Sequence, residues 1–114
     1  MESRLVRMTL RWSAPPGELQ MITVTLQGLM LATRAEPGCV ECSLSTTLGK
    51  RAVIQYVEDW KTEDDLKRQL RSDRFAVLAE IMEQASEPPA MEFALTGATY
   101  GLEYAEEVRH SADA

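Results

Sequence analysis

Cys39 and Cys42 are the only two cysteines among 114 residues, and they stand as Cys-x-x-Cys inside the run GCVECSL. That spacing suits thiol–disulfide exchange or a zinc site, provided a helix start or tight turn brings the sulfurs together. The flanking pattern is of another kind. After the turn-forming Glu36-Pro37-Gly38, the residues Val40, Cys42 and Leu44 alternate with Glu41, Ser43 and Ser45, which is the period of a strand. Residues three apart in a regular strand face opposite ways, and at roughly 3.3 Å per residue their Cα atoms lie ~10 Å apart, beyond the roughly 7 Å a disulfide can bridge. Structural zinc usually takes four Cys or His ligands, and the chain adds one histidine, His110, close to its end. The pair therefore reads as small buried thiols of a reducing compartment, and no metal is expected.

The totals narrow the field further. With 45% hydrophobic and 26% charged residues the chain has the composition of one globular domain. A net charge of −6, with basic residues dispersed among acids, disfavours a phosphate-backbone partner, so no nucleic acid is expected. No apolar run approaches membrane length, and the opening MESRLVRM has no signal-peptide core; no membrane partner and a cytoplasmic location are the expectations. Gly-rich phosphate loops, Gly-x-Ser-x-Gly and His-Glu-x-x-His are all absent. A small molecule or another protein remains as partner.

Residues 5–12, LVRMTLRW, alternate as a strand and end at Ser13-Ala14-Pro15-Pro16-Gly17, where Pro16 suits a helix start. The segment ELQMITVTLQGLMLATR carries two patterns: Ile22, Val24 and Leu26 alternate, while Leu19, Ile22, Leu26, Leu29, Met30 and Thr33 form a helical stripe along its whole length. Length favours the helix. The cysteine strand follows, then a connection at residues 48–51, then AVIQYVEDW, which puts Ile54, Tyr56, Glu58 and Trp60 on one face and Val53, Gln55, Val57 and Asp59 on the other. Thr62 and Ser72 are helix-capping residues, the second before an apolar stripe of Phe75, Leu78, Met82 and Ala85. After Pro88-Pro89, MEFALT alternates as a fourth strand. The order β, α, β, β, α(α), β predicts an α+β, ferredoxin-like split βαβ with a four-stranded antiparallel sheet and helices on one face. Residues 1–96 form this domain, and 97–114 a C-terminal extension that continues the strand or packs on a partner. The second face of the sheet, read as apolar, predicts a homodimer built sheet against sheet.

The run EPGCVECSL…AVIQYVEDWKTEDDLKRQLRSDRFAVLAEIME…PPAMEF resembles the antibiotic biosynthesis monooxygenase family over roughly residues 5–96. The matching positions are Glu36, Pro37, Gly38 and Cys39; Tyr56, Glu58 and Trp60; Glu63 and Leu66; Ser72 and Phe75. The resemblance implies a dimeric α+β barrel with a pocket between sheet and helices in each protomer. It also implies an activity drawn from oxygenases that act on quinols or polyketide-derived aromatics without flavin or metal, or from relatives that degrade haem. Two departures matter. The haem-degrading relatives use an asparagine, a histidine and a tryptophan, and of these only Trp60 has a counterpart here, since the chain has no asparagine and His110 lies in the tail. Arg74 stands where many members place a histidine, which removes the usual proton acceptor.

Without a cofactor, the substrate must do the redox work: a deprotonated phenol or hydroquinone passes an electron to O₂, and the protein favours the anion and keeps it dry. Arg74 and Glu58 are the catalytic candidates, Arg74 to hold an oxyanion and Glu58 to take a proton if burial lifts its pKa. Tyr56, Trp60, Arg34 and Phe75 are the pocket candidates for a small aromatic molecule. Each has a plainer use, as core aromatic, solvated charge or, for Glu58, cross-strand partner of an arginine in the first strand. The alternative function is a dimeric module of the same fold that binds a ligand or partner without chemistry.

Overall fold

The computed structural model describes residues 5–95 and 98–111. The elements run β1 (Val6–Ala14), α1 (Leu19–Arg34), β2 (Cys39–Thr47), β3 (Ala52–Trp60), α2 (Glu63–Leu70), α3 (Asp73–Gln84), β4 (Ala90–Leu95), β5 (Ala98–Tyr100) and α4 (Leu102–His110). The sheet has the order β2-β3-β1-β4-β5, with every neighbouring pair antiparallel. This is the α+β, ferredoxin-like arrangement with five strands instead of four. The boundary drawn at 96/97 falls outside the described residues.

The ambiguous segment is helical because its stripe works at helical spacing: Ile22, Leu26, Leu29 and Thr33 are buried while the β-branched Val24 is exposed. The helix starts at Leu19, after a turn in which the Glu18 amide bonds the Pro15 carbonyl, so Pro16 lies ahead of it. Thr62 and Ser72 cap α2 and α3, accepting from the amides of Asp65 at 3.1 Å and Phe75 at 3.3 Å.

The helices cover one face of the sheet. Val6, Met8, Leu10, Trp12 and Ala14 of β1 point into that layer, beside Ile54, Tyr56, Glu58 and Trp60 of β3 and Met91 and Phe93 of β4. The opposite face corrects the apolar expectation. Val53 and Val57 are half-buried there, but β1 sets Arg7, Thr9 and Arg11 among them. Arg7 donates twice to Asp59, at 2.7 and 2.9 Å, and Arg11 donates to Gln55 at 2.8 Å. The alternation in β3 alone could not show this, because half of each cross-strand pair comes from β1.

The cysteine strand also departs from the regular pattern. Cys39 pairs with Trp60 and Glu41 with Asp59, so Val40 is an extra residue in a bulge. The bulge resets the alternation: Cys39 and Cys42 lie on the same, helix-covered side, and Val40 is 50% exposed. Both thiols are nonetheless free.

Gly38 opens this strand with φ +88°, and a Cβ placed there would run into the Asp65 carboxylate, itself held by Thr62 and Arg68. Gly38→Ala is therefore expected to lose about 1–3 kcal/mol, from left-handed strain plus displacement of Asp65. Urea unfolding checks it; an unchanged midpoint would mean that the turn relaxes freely.

The last described segment is not a loose strand. Tyr104, Ala105 and Val108 are buried on one side of α4. Tyr104 packs its ring 5.0 Å from Phe93 and donates its hydroxyl to Glu63 at 2.6 Å. Arg71 reaches the Val108 carbonyl at 3.3 Å, and Arg109 donates to that of Leu70. Among the described residues no helix is long and apolar enough to cross a membrane.

Candidate functional site

Strand alternation places Tyr56, Glu58 and Trp60 side by side under the helices, where all three are essentially without solvent contact. Glu58 is the centre of the cluster. Its Oε2 accepts from the Tyr56 hydroxyl at 2.7 Å and from Gln69 Nε2 at 3.2 Å, and its Oε1 accepts from Trp60 Nε1 at 2.9 Å. Gln69 spends its other amide proton on Thr33 Oγ1 at 2.8 Å, and its Oε1 accepts from Arg74 Nε at 3.0 Å. The orientation of this amide is forced, since a guanidinium can only donate and a carboxylate can mainly accept. Arg74 also lies 3.3 Å from Glu36. A continuous chain of hydrogen bonds thus runs from a half-exposed arginine to a fully enclosed carboxyl.

Burial competes here with three donors, and burial wins: the Glu58 pKa is raised above its ordinary value, because no cation touches the carboxyl and Arg74 acts only from behind Gln69. Burial, then Glu58, pushes the Tyr56 phenol up as well, so it stays a donor. The first-strand arginine expected beside Glu58 bonds its neighbour instead. Arg7 pairs with Asp59 on the open face, while Glu58 stands opposite Met8.

Cys42 donates to the Tyr56 hydroxyl at 3.2 Å, and burial pushes its thiol up to about 12. Cys39 is raised too, by burial and then by Glu58. Near neutral pH Cys42 therefore stays a thiol. Aromatic disulfide reagents are expected to modify Cys39 slowly and Cys42 only on unfolding; rapid labelling of both in the folded protein would contradict the burial assigned here. Among the described residues no group of three or more His, Cys, Asp or Glu is arranged to hold a metal.

The remaining candidates separate. Arg34 donates to the Cys42 carbonyl at 3.0 Å and closes the end of α1 against β2. Phe75 is buried on the α4 side of α3, under the Arg109 guanidinium at 5.8 Å from the ring centre. Arg74 sits at a cleft of about 370 Å³ between α1 and α3, walled by Val24, Gly28, Leu29, Val77 and Leu78. Tyr56, Glu58 and Trp60 line none of the described clefts. Gln69 and Thr33 are the members that residue types alone did not reveal. The available signal was a polar side chain on an apolar stripe, Gln69 between Leu66 and Leu70 and Thr33 after Leu29.

The sequence pattern of antibiotic biosynthesis monooxygenases matches residues 5–80, well over half of the chain. The chain belongs to the antibiotic biosynthesis monooxygenase family. Its matched region contains β1 to β3 and the whole Glu58–Gln69–Arg74 chain, but not α4. Among curated proteins nothing matches the sequence. Solved structures agree with the family's fold. A conserved protein of Methanosarcina mazei aligns with TM-score 0.72 at 19% identity, over 82% of this chain and 93% of its own. A Pseudomonas aeruginosa protein aligns with TM-score 0.72 at 19% identity, over 86% and 99%. A Caulobacter crescentus protein, named as a candidate antibiotic biosynthesis monooxygenase, aligns with TM-score 0.70 at 18% identity, over 81% and 89%. At these identities the likeness is one of fold.

Proposed function

We propose that this family member is a cofactor-independent monooxygenase that oxidises a small hydroxylated aromatic or quinol with O₂. The ring lies in the α1–α3 cleft and its hydroxyl on Arg74. The observation that carries the reading is Arg74 itself: a cation at one end of an apolar cleft, held in place by Gln69 and Glu36. At about 370 Å³ the cleft is at the small end for ligand pockets, in keeping with one or two fused rings.

In this reading Arg74 stabilises the phenolate, and the phenolic proton passes to solvent at the cleft mouth, from which the peroxide later takes one. The anion gives one electron to O₂, the resulting radicals join at a ring carbon, and the hydroperoxide loses water to leave a quinone. One oxygen atom stays in the product and the other leaves as water, so the substrate supplies all the electrons. Glu58, enclosed and bonded only inside the protein, acts through Gln69 as a positioning residue. Tyr56 and Trp60 fix its carboxylate. A homodimer, formed across the uncovered sheet face where Val53 and Val57 lie among the internally paired Arg7–Asp59 and Arg11–Gln55, and a cytoplasmic location complete the reading.

The test is oxygen uptake with a panel of mono- and bicyclic hydroquinones. Uptake above the buffer rate, matched by quinone formation, is expected. No uptake with any of them would favour the second reading, a non-catalytic binding module, which the fully satisfied and enclosed Tyr56–Glu58–Trp60 cluster supports.

A further inference from the structure

Helix α3 has two working sides. Arg74, Val77 and Leu78 face the α1 cleft, whereas Phe75, Ala79 and Met82, spaced by four and three residues, face α4. On that second side, between α3, α4 and the Pro88-Pro89 segment, lies a groove of about 560 Å³, larger than the α1–α3 cleft and outside the region matched to the family where α4 forms its wall. Its lining is mainly apolar, with Phe75, Met82, Pro89, Met91 and Leu102 prominent.

The wall opposite α4 is anchored. The Glu87 carbonyl accepts from Trp12 Nε1 at 2.8 Å, and its carboxylate takes both 2.8 and 2.9 Å bonds from Arg51. The two prolines that follow restrict the backbone further. The bonds to Glu87 hold the chain immediately ahead of the Pro88-Pro89 wall.

One cation points the chemistry. Arg109 lies half-buried in the lining with its guanidinium over Phe75, and it gives a hydrogen bond to the Leu70 carbonyl. Among the described residues no carboxylate pairs with it. Glu83, Glu106 and His110 also line the groove, but all three are exposed, so water at the mouth weakens the glutamates' repulsion of an anion without abolishing it. A guanidinium with donors to spare beside apolar walls fits a flat carboxylate on an apolar body. We propose that this groove is a second ligand site, separate from the Arg74 cleft, which takes a small apolar monocarboxylate with its carboxylate on Arg109.

Titration calorimetry of the full chain with 1-naphthoate and its neutral isostere 1-naphthamide tests this. The wild type is expected to bind the carboxylate about tenfold more tightly than the amide, the discrimination of a charge-assisted bond in a partly open site. Arg109→Gln should reduce that preference to about twofold while leaving amide binding nearly unchanged, and Met82→Trp should weaken both ligands by filling the groove. Equal binding of the two compounds, no binding of either at millimolar concentration, or an undiminished preference in Arg109→Gln would overturn the proposal. Should Arg109→Gln fail to fold, Glu106→Gln serves instead. Removing that negative charge should tighten 1-naphthoate and not 1-naphthamide, and no change in either would equally overturn it.

Discussion

Glu58→Ala is expected to destabilise the folded chain by about 3 kcal/mol, because the Tyr56 hydroxyl, the Trp60 indole and the Gln69 amide all lose their acceptor in a space without water. Deleting the carboxyl also removes its own burial penalty, which is why the loss is smaller than three stranded donors would give separately. Glu58→Gln should lose about 1–2 kcal/mol, since an amide can face two of the donors with its oxygen but must turn its NH₂ toward the third. The two variants differ in a second way. The raised pKa of Glu58 means that the folded chain keeps a proton at pH values where the unfolded chain has already released it, above the ordinary value of 4.5. Its contribution is therefore full below about pH 4.5 and declines as pH rises toward the folded-state pKa. Glutamine does not titrate, so the stability gap between wild type and Glu58→Gln should narrow with rising pH. Urea midpoints measured from pH 4.5 to 8 check this, and a gap independent of pH would mean that Glu58 is charged throughout.

Arg74→Ala is expected to lower turnover by about a hundredfold, the scale set by losing one preorganised oxyanion donor. Its effect on stability should be about 1–2 kcal/mol, because the partly exposed Glu36 pair adds little but the buried Gln69 carbonyl loses its donor. Arg74→Lys should recover part of the rate, since it keeps the charge but loses the planar donor that meets Gln69. A structural role alone would give the opposite pattern, with stability lost and the rate per folded molecule kept. Turnover normalised to folded protein, beside a thermal melt of each variant, separates the two.

The parts of the molecule that could be read in advance are those governed by local period. Alternation in AVIQYVEDW was enough to put Tyr56, Glu58 and Trp60 together, and the capping residues Thr62 and Ser72 marked where α2 and α3 begin. What local period cannot report is registry between segments. The bulge at Val40 turned both cysteines to one side, and although β1 itself sets Arg7, Thr9 and Arg11 opposite its apolar residues, only the β1–β3 pairing puts them beside Val53 and Val57. The tail shows a related limit. Strand β5 adds Ala98–Tyr100 to the sheet, whereas Tyr104, Ala105 and Val108 carry the buried face of α4, which the Phe93 and Glu63 contacts hold in place. Gln69 shows the same limit within the site. A glutamine on an exposed helix and one that joins Arg74 to Glu58 look alike until the two ends of the bridge are in place.

Isotope labelling puts the functional reading to its most direct trial. Under ¹⁸O₂, with a hydroquinone substrate and no added cofactor, the wild type should produce a quinone carrying one labelled oxygen, with the second label in water, and Arg74→Ala should do so about a hundredfold more slowly. Product without label, or label recovered only as hydrogen peroxide, would contradict oxygen insertion at Arg74.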